Sequence, residues 1–419
     1  MTPAALPAPV AALADAVRTA LDGGPAVFGL PRLRDAAPPD GTALVVRTSG
    51  STGTPREVAL TAAALRASAT ATHDRLGGPG RWVLTLPPTH VAGLQVVVRS
   101  VLAADAGVPA PLAAAEPGGR FTPDGFADLL EPALADGVPV HASLVPTQLH
   151  RLVAAADEGS PRGLAALARC ADVLLGGAAT PAPLLARARA AGVRVVRTYG
   201  MSETAGGCVY DGVPLRGVQV RLAAGDVVEI AGPTLAAGYV GDDAATAAAF
   251  RADPAGPDLA GPDAATRWFR TSDLGALGPD GTLTVLGRAD DVVVTGGVNV
   301  APAAVEAVLA EVLPGVLGGA AAEPCVVGVP DDEWGSAVVA VVATGTLDAA
   351  GAVGAPATTP PLRPVDPRTL GRVRAAVADR LGGPSAPRRV YLVDALPLRG
   401  PGKVDRSGVA AAVREHESR

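Results

Sequence analysis

The chain has 419 residues and a formal net charge of −6, with 48% hydrophobic and 18% charged side chains. That balance excludes a disordered chain and a general nucleic-acid binder, and it supplies apolar side chains for two or three cored domains. No apolar run reaches the roughly 18 residues of a membrane span, because Arg99 interrupts the best candidate; Asp15 and Arg18 stand where the core of a secretory signal would lie.

Residues 1–22 read as an amphipathic helix, Ala43–Arg47 as a short buried strand, and Glu57–Leu60 as a second strand. Thr61 is placed to cap an Ala-rich helix running to about Leu76. Strand-like runs follow at Trp82–Leu86, Val138–Leu144, Val173–Leu175 and Val193–Arg197, with helical stretches at 91–104, 124–135, 146–156 and 181–191. Strands alternating with helices predict an α/β layered region with much parallel sheet. After about 210 the texture changes to short strands broken by Gly and Asp-Gly turns, at Gly217–Leu222, Asp226–Ile230 and Thr282–Leu286, and a β-rich subdomain over about 210–289 is expected. A small α+β unit should occupy 290–419, with a helix at Pro302–Glu311, strands at Glu323–Val329 and Ala337–Ala343, and a helix at Leu370–Leu381. The stretch 344–368, rich in Gly, Ala, Thr and Pro, reads as a mobile loop without packed structure.

Two composition features bear on chemistry. The three cysteines, Cys170, Cys208 and Cys325, are odd in number and far apart, a pattern that fits neither a disulfide framework nor a zinc site and suits a reducing cytoplasm. Of the 35 basic residues only Lys403 is a lysine. The excess of Ala, Gly, Pro and Arg reads as coding bias that turns generic cations into Arg. A surviving Lys then marks either a position where guanidinium fails or a chance survivor on a solvated surface. Asn299 is likewise the single Asn, and a turn role suits it.

Thr48-Ser49-Gly50-Ser51-Thr52-Gly53 joins hydroxyls to glycines, so backbone amides and side chains could wrap a polyphosphate, with Arg56 adding a cation at the exit. It lacks the Gly-Lys-Ser/Thr ending of a Walker loop, and an ordinary Ser/Gly surface turn has the same composition. Further on stand Tyr199-Gly200-Met201-Ser202-Glu203-Thr204, Thr271-Ser-Asp273-Leu-Gly275, Gly287-Arg288-Ala-Asp290-Asp291, Gly296-Gly-Val-Asn-Val300 and Pro401-Gly-Lys403-Val-Asp-Arg406. In this order and over nearly the whole chain, the set resembles the adenylate-forming superfamily of acyl- and aryl-CoA ligases, peptide-synthetase adenylation domains and luciferases. Within it, Gly206-Gly-Cys-Val-Tyr-Asp-Gly-Val-Pro-Leu215 and Ser143-Leu-Val-Pro-Thr-Gln148 are similar to the o-succinylbenzoate–CoA ligase subgroup of menaquinone biosynthesis.

The resemblance implies a large N-terminal domain over 1–289, a mobile C-terminal domain over 290–419, and two half-reactions. A carboxylate attacks the α-phosphate of ATP to give an acyl-adenylate, and coenzyme A then displaces AMP. Such chemistry needs charge neutralised at phosphorus and reactants held together. Lys403 carries over as the adenylation cation, a compact ammonium that a wider guanidinium would not replace cleanly. Glu203 carries over as the Mg²⁺ ligand, a hard donor for a hard cation. Tyr199, Gly200, Met201 and Ser202 line the AMP site, Asp273 accepts from both ribose hydroxyls, and Arg288 adds a ribose or phosphate contact. Gly177, Ala178 and Ala179 would let adenine lie against backbone, although a tight strand-to-helix turn explains them as well. Asp290 falls at the hinge, and Thr295–Val300 shapes the CoA channel after rotation. His90 lines the acyl pocket, where imidazole can bond a carboxylate; Cys208 is expected in a pocket wall. A second carboxylate on an aromatic acid needs its own anion site, for which the amides of Gly206 and Gly207 or the side chain of Arg197 are candidates. Other aryl- or acyl-CoA ligases and a freestanding adenylation domain loading a carrier protein are the alternatives. The expected partner is a small carboxylic acid, with no nucleic acid and no membrane span, and a homodimer is compatible with the sequence.

Overall fold

The computed structural model describes residues 6–48, 55–253, 266–318, 322–344, 361–399 and 403–418. Ser49, Gly50, Ser51, Thr52 and Gly53 therefore lie outside the described residues. The chain divides into two compact units. One takes the described residues of 1–178, 187–271 and 276–284, the other those of 179–186, 272–275 and 285–419.

In the first unit a seven-stranded sheet forms the main layer. Arg81–Leu84, Val140–Leu144, Asp172–Leu175 and Val195–Met201 run parallel as neighbours in that order, and Gly206–Tyr210 returns antiparallel beside the last. The inner strands Arg81–Leu84 and Val140–Leu144 are buried along their whole length, including the polar Arg81, His141 and Ser143. A second sheet carries Thr42–Thr48 paired antiparallel with Arg56–Thr61, register Thr48↔Arg56. Thr61 caps the helix Ala62–Arg75 as expected, accepting from the Ala64 amide. A β-rich sheet follows, built on Gln219–Ala223, Val227–Ala231, Phe250–Ala252 and the Arg267–Thr271 part of a longer strand.

The second unit centres on the antiparallel pair Glu323–Asp331 and Gly335–Ala343, with Arg389–Val393 parallel to the latter. Alternate residues divide between two cores. Val338, Ala340 and Val342 face the helices Pro302–Val316 and Pro367–Leu381, while Val339 and Val341 meet Val409 and Val413 of the terminal helix Arg406–Glu417.

Three expectations are corrected here. The stretch 344–368 is not without packed structure: Arg363–Pro364 pairs with Leu392 and Tyr391, and Leu362 is buried, while 345–360 lie outside the described residues. Asn299 does not make the turn. It sits mid-strand opposite Val294, and Gly296 and Gly297 supply the left-handed φ values of +55° and +78°. A Cβ at Gly296 would also stand 2.6 Å from the Trp334 ring. Cys208 does not border a pocket: it is a fully buried member of the main core, where burial pushes its thiol up to about 12.

Candidate active site

The parallel strands gather four predicted segments at one edge, the carboxyl edge where α/β sheets bind ligands. His90 follows the strand Arg81–Leu84 as the N-cap position of the helix Val91–Asp105. Val145 to Gln148 follow Val140–Leu144, Gly177 and Ala178 follow Asp172–Leu175, and Ser202 and Glu203 follow Val195–Met201. The loops are tied across strands. Gln148 Nε2 donates to the Thr85 carbonyl at 3.0 Å, Thr85 Oγ1 to the Ser143 carbonyl at 2.7 Å, and the Gly176 amide to the Leu144 carbonyl at 3.2 Å.

Beyond Met201 the chain makes one turn of 3-10 helix, Ser202–Thr204, ended by Ala205 in the left-handed region at φ +51°. A non-glycine residue there is held by its surroundings. Ser68 Oγ and Gln95 Nε2 both donate to the Ala205 carbonyl, at 3.1 and 2.6 Å, and Thr204 Oγ1 donates to the Gly206 carbonyl at 2.7 Å. Gly200 is required by close approach: a Cβ would lie 2.1 Å from the Gly206 carbonyl oxygen. Tyr199 and Met201 pack half-buried on the core.

Glu203 projects from this turn. Its Oε1 accepts from the Tyr239 hydroxyl at 3.0 Å, and its carbonyl accepts from the Ala236 amide at 2.8 Å. Burial, then the Glu203 charge, raise the Tyr239 pKa, so the phenol stays a donor. The Arg56 guanidinium lies 5.2 Å from the centroid of the same ring. Thr48 and Arg56, the two ends of the hydroxyl-rich segment, are thus paired in register, and Arg56 shares an aromatic with Glu203. Sequence reading missed Tyr239. Its signal is slight, a Gly-Tyr step after an Ala-rich stretch, because the strand Gly238–Tyr239 has only two residues.

In the second unit Arg288 joins two further predicted residues. Nε and Nη2 donate to both carboxylate oxygens of Asp290 at 2.8 Å, and Nη1 is 4.0 Å from Asp273. Lys403 begins the two-residue strand Lys403–Val404, paired with Leu398–Arg399, and Ala179 also belongs to this unit. Arg197 is exposed and bonds Asp211, so its charge is already balanced at the surface.

Residues 6–240 match the AMP-binding enzyme family, and residues 304–403 match the AMP-binding enzyme C-terminal domain. The chain belongs to the AMP-binding enzyme family. Among relatives, the probable 2-succinylbenzoate–CoA ligase of Mycobacterium tuberculosis H37Rv is 45% identical over 373 residues, covering 88% of this chain and 84% of that protein. The 2-succinylbenzoate–CoA ligase of Geobacillus kaustophilus is 31% identical, covering 91% and 72%. Among solved structures, the o-succinylbenzoate CoA synthetase of Bacillus subtilis in complex with its acyl-adenylate intermediate superposes with a TM-score of 0.65. It is 25% identical and covers 88% of this chain and 69% of that one. ATP-bound MatB from Rhodopseudomonas palustris gives 0.67 at 25% identity, covering 89% and 68%. This AMP-binding enzyme has no helix, among the described residues, long and apolar enough to cross a membrane.

Proposed function

We propose that this enzyme is an ATP-dependent acid–CoA ligase that converts o-succinylbenzoate to its CoA thioester through an acyl-adenylate. The observation that carries the reading is the placement of a metal-type carboxylate, Glu203, and a phosphate-type cation, Arg56, on one tyrosine at the carboxyl edge of the parallel sheet. The similarity to named 2-succinylbenzoate–CoA ligases supports the choice of acid.

In the first half-reaction a substrate carboxylate oxygen attacks the α-phosphorus of ATP, and the bond to the bridging oxygen breaks to release pyrophosphate. The amides and hydroxyls of Thr48 to Gly53, with Arg56, hold the phosphates. Lys403 neutralises charge developing at the α-phosphate and bridging oxygen. Asp273 accepts from the ribose hydroxyls, and Arg288, with its fork on Asp290, stands beside it. Gly177, Ala178 and Ala179 border adenine, and His90 meets the acid. Among the described residues no cluster of three His, Cys, Asp or Glu is placed to hold a metal. Glu203 as a single hard oxygen ligand fits a magnesium ion that takes its other ligands from phosphate and water. When bound, that ion supplies charge neutralisation on the phosphates. In the second half-reaction the CoA thiol, losing its proton, attacks the acyl carbonyl and AMP leaves. We assign Asp290 as the hinge between an N-terminal domain over 1–289 and a mobile domain over 290–419 that exchanges Lys403 for the Thr295–Val300 hairpin. A cytoplasmic site of action suits the three free, buried cysteines. The homodimer is decided by solution mass.

A screen of pyrophosphate release over aromatic and aliphatic acids, with CoA or a carrier protein as acceptor, tests the reading. The expected result is release with o-succinylbenzoate and thioester formation only with CoA. Release confined to another acid, or transfer only to the carrier, would replace it with one of the alternatives.

A further inference from the structure

Tyr239 sits where two functional segments of the first unit meet, and it touches both. Its hydroxyl donates to Glu203 Oε1 at 3.0 Å, and its ring face lies under the Arg56 guanidinium, 5.2 Å from the centroid. The residue is 6% exposed, and Phe250 meets its ring edge-on at 6.0 Å. The backbone is fixed just as closely. The Tyr239 amide donates to Thr246 Oγ1 at 2.9 Å, the Ala237 and Val240 amides donate to the Ala59 and Glu57 carbonyls, and the Ala236 amide donates to the Glu203 carbonyl. The two-residue strand Gly238–Tyr239 therefore stitches the strand bearing Arg56 to the turn bearing Glu203.

We propose that Tyr239 is a positioning residue that orients Glu203 for a divalent cation through its hydroxyl and orients Arg56 for phosphate through its ring. The inference rests on the ligase reading above and adds a residue to it. A flexible glutamate reaching for a cation loses rotamer freedom on binding. A donor already seated on one oxygen removes part of that loss, and partners of metal-ligating carboxylates typically change metal affinity 10–100-fold when removed. The identity of residue 56 follows from the same geometry. A planar guanidinium lies flat on an aromatic face, whereas an ammonium is a hydrated point charge with no plane to match. Arg at 56 is then matched to the Tyr239 ring.

The test is a Mn²⁺ titration of the protein–ATP complex followed by electron paramagnetic resonance, with AMP binding in chelator by calorimetry as a metal-free control. Tyr239→Phe keeps the ring and loses the hydroxyl. We expect Mn²⁺ to bind about 10-fold more weakly, with metal-free AMP binding unchanged. In a Glu203→Gln background the same change should add nothing. Arg56→Lys should weaken ATP binding severalfold while leaving the Mn²⁺ titration of the saturated complex as in wild type. If Tyr239→Phe lowers only the melting temperature and leaves the Mn²⁺ titration at the wild-type value, Tyr239 is a packing residue and the proposal falls. If wild type itself binds neither ATP nor Mn²⁺–ATP, the ligase reading falls first and this inference with it.

Discussion

Arg406 clasps Glu306 with two parallel hydrogen bonds, Nη1 to Oε1 at 2.5 Å and Nη2 to Oε2 at 2.7 Å. The same guanidinium donates to the Val326 carbonyl at 2.8 Å and lies 3.4 Å from Asp291. Three residues after Lys403, it ties the lysine's strand to the helix Pro302–Val316, to the central sheet of the second unit, and to the short turn Ala289–Asp291. A bidentate pair of this kind fixes direction as well as distance.

Replacing Arg406 by Met should therefore do two things. It removes charge-assisted bonds worth about 1.5–3 kcal/mol, visible as a lower urea midpoint for the second unit. It also loosens the base of Lys403, so pyrophosphate release should fall more than thioester formation from supplied acyl-AMP does. Loss of stability with both half-reactions intact would leave Arg406 a purely structural tie.

Lys403→Ala should lower pyrophosphate release at least about 100-fold, the loss of one preorganised contact to developing charge. Thioester formation from supplied acyl-AMP should persist. Lys403→Arg should recover little, because the guanidinium plane does not fit between two oxygens as an ammonium does. Pyrophosphate release near the wild-type rate in Lys403→Ala would remove the lysine from the mechanism.

Asp290→Pro should separate the half-reactions. Proline restricts the backbone at the turn and abolishes the fork on Arg288. Stopped-flow measurement of each half-reaction is expected to show one impaired well beyond the other. Equal impairment would argue that no rotation separates them.

The buried imidazoles predict a pH dependence of stability. His73 Nε2 accepts from the Trp82 indole at 3.2 Å, and the Trp82 ring contacts both His73 and His141. Burial first, and then Arg99, lower the pKa of His73 to about 4; Asp74 opposes this. Burial, His73, Arg99 and Arg194 lower that of His141 to about 4, even with Asp172 at 3.5 Å. Both are neutral in the fold and take up protons more readily when unfolded. Their contribution is complete above about 6.5 and is lost as pH falls toward and through about 4. Urea midpoints should drop from pH 7 to pH 5, and His73→Gln, which keeps an acceptor for Trp82, should flatten that slope. An unchanged slope would mean other groups carry it.

Much of the fold is legible in the sequence because its signals are local. The capped helix after Thr61, the succession of parallel strands and helices, and the strand beginning at Glu323 follow from periodicity and capping alone. The hydroxyl-rich segment ending in Arg56, the Tyr199–Glu203 turn and Lys403 are equally visible, since residue type within a few positions defines them. What stays hidden depends on partners far along the chain. Tyr239 gains its importance from Arg56 and Glu203, neither near it in sequence. Asn299 read as a turn residue until two glycines took that strain.

The sequence by itself determined the family and its candidate groups: a single ammonium among many guanidinium groups, a hydroxyl- and glycine-rich segment, and short segments whose order marks the family. Tertiary structure decided which of the interchangeable arginines matter. Arg81 lies fully buried across Asp136, Arg406 closes on Glu306, and Arg56 rests on an aromatic ring, while Arg197 stays at the surface. Residue type sets what a side chain can do within its own reach. Burial and pairing arise only when distant segments meet, and those contacts separate a positioned cation from a solvated one.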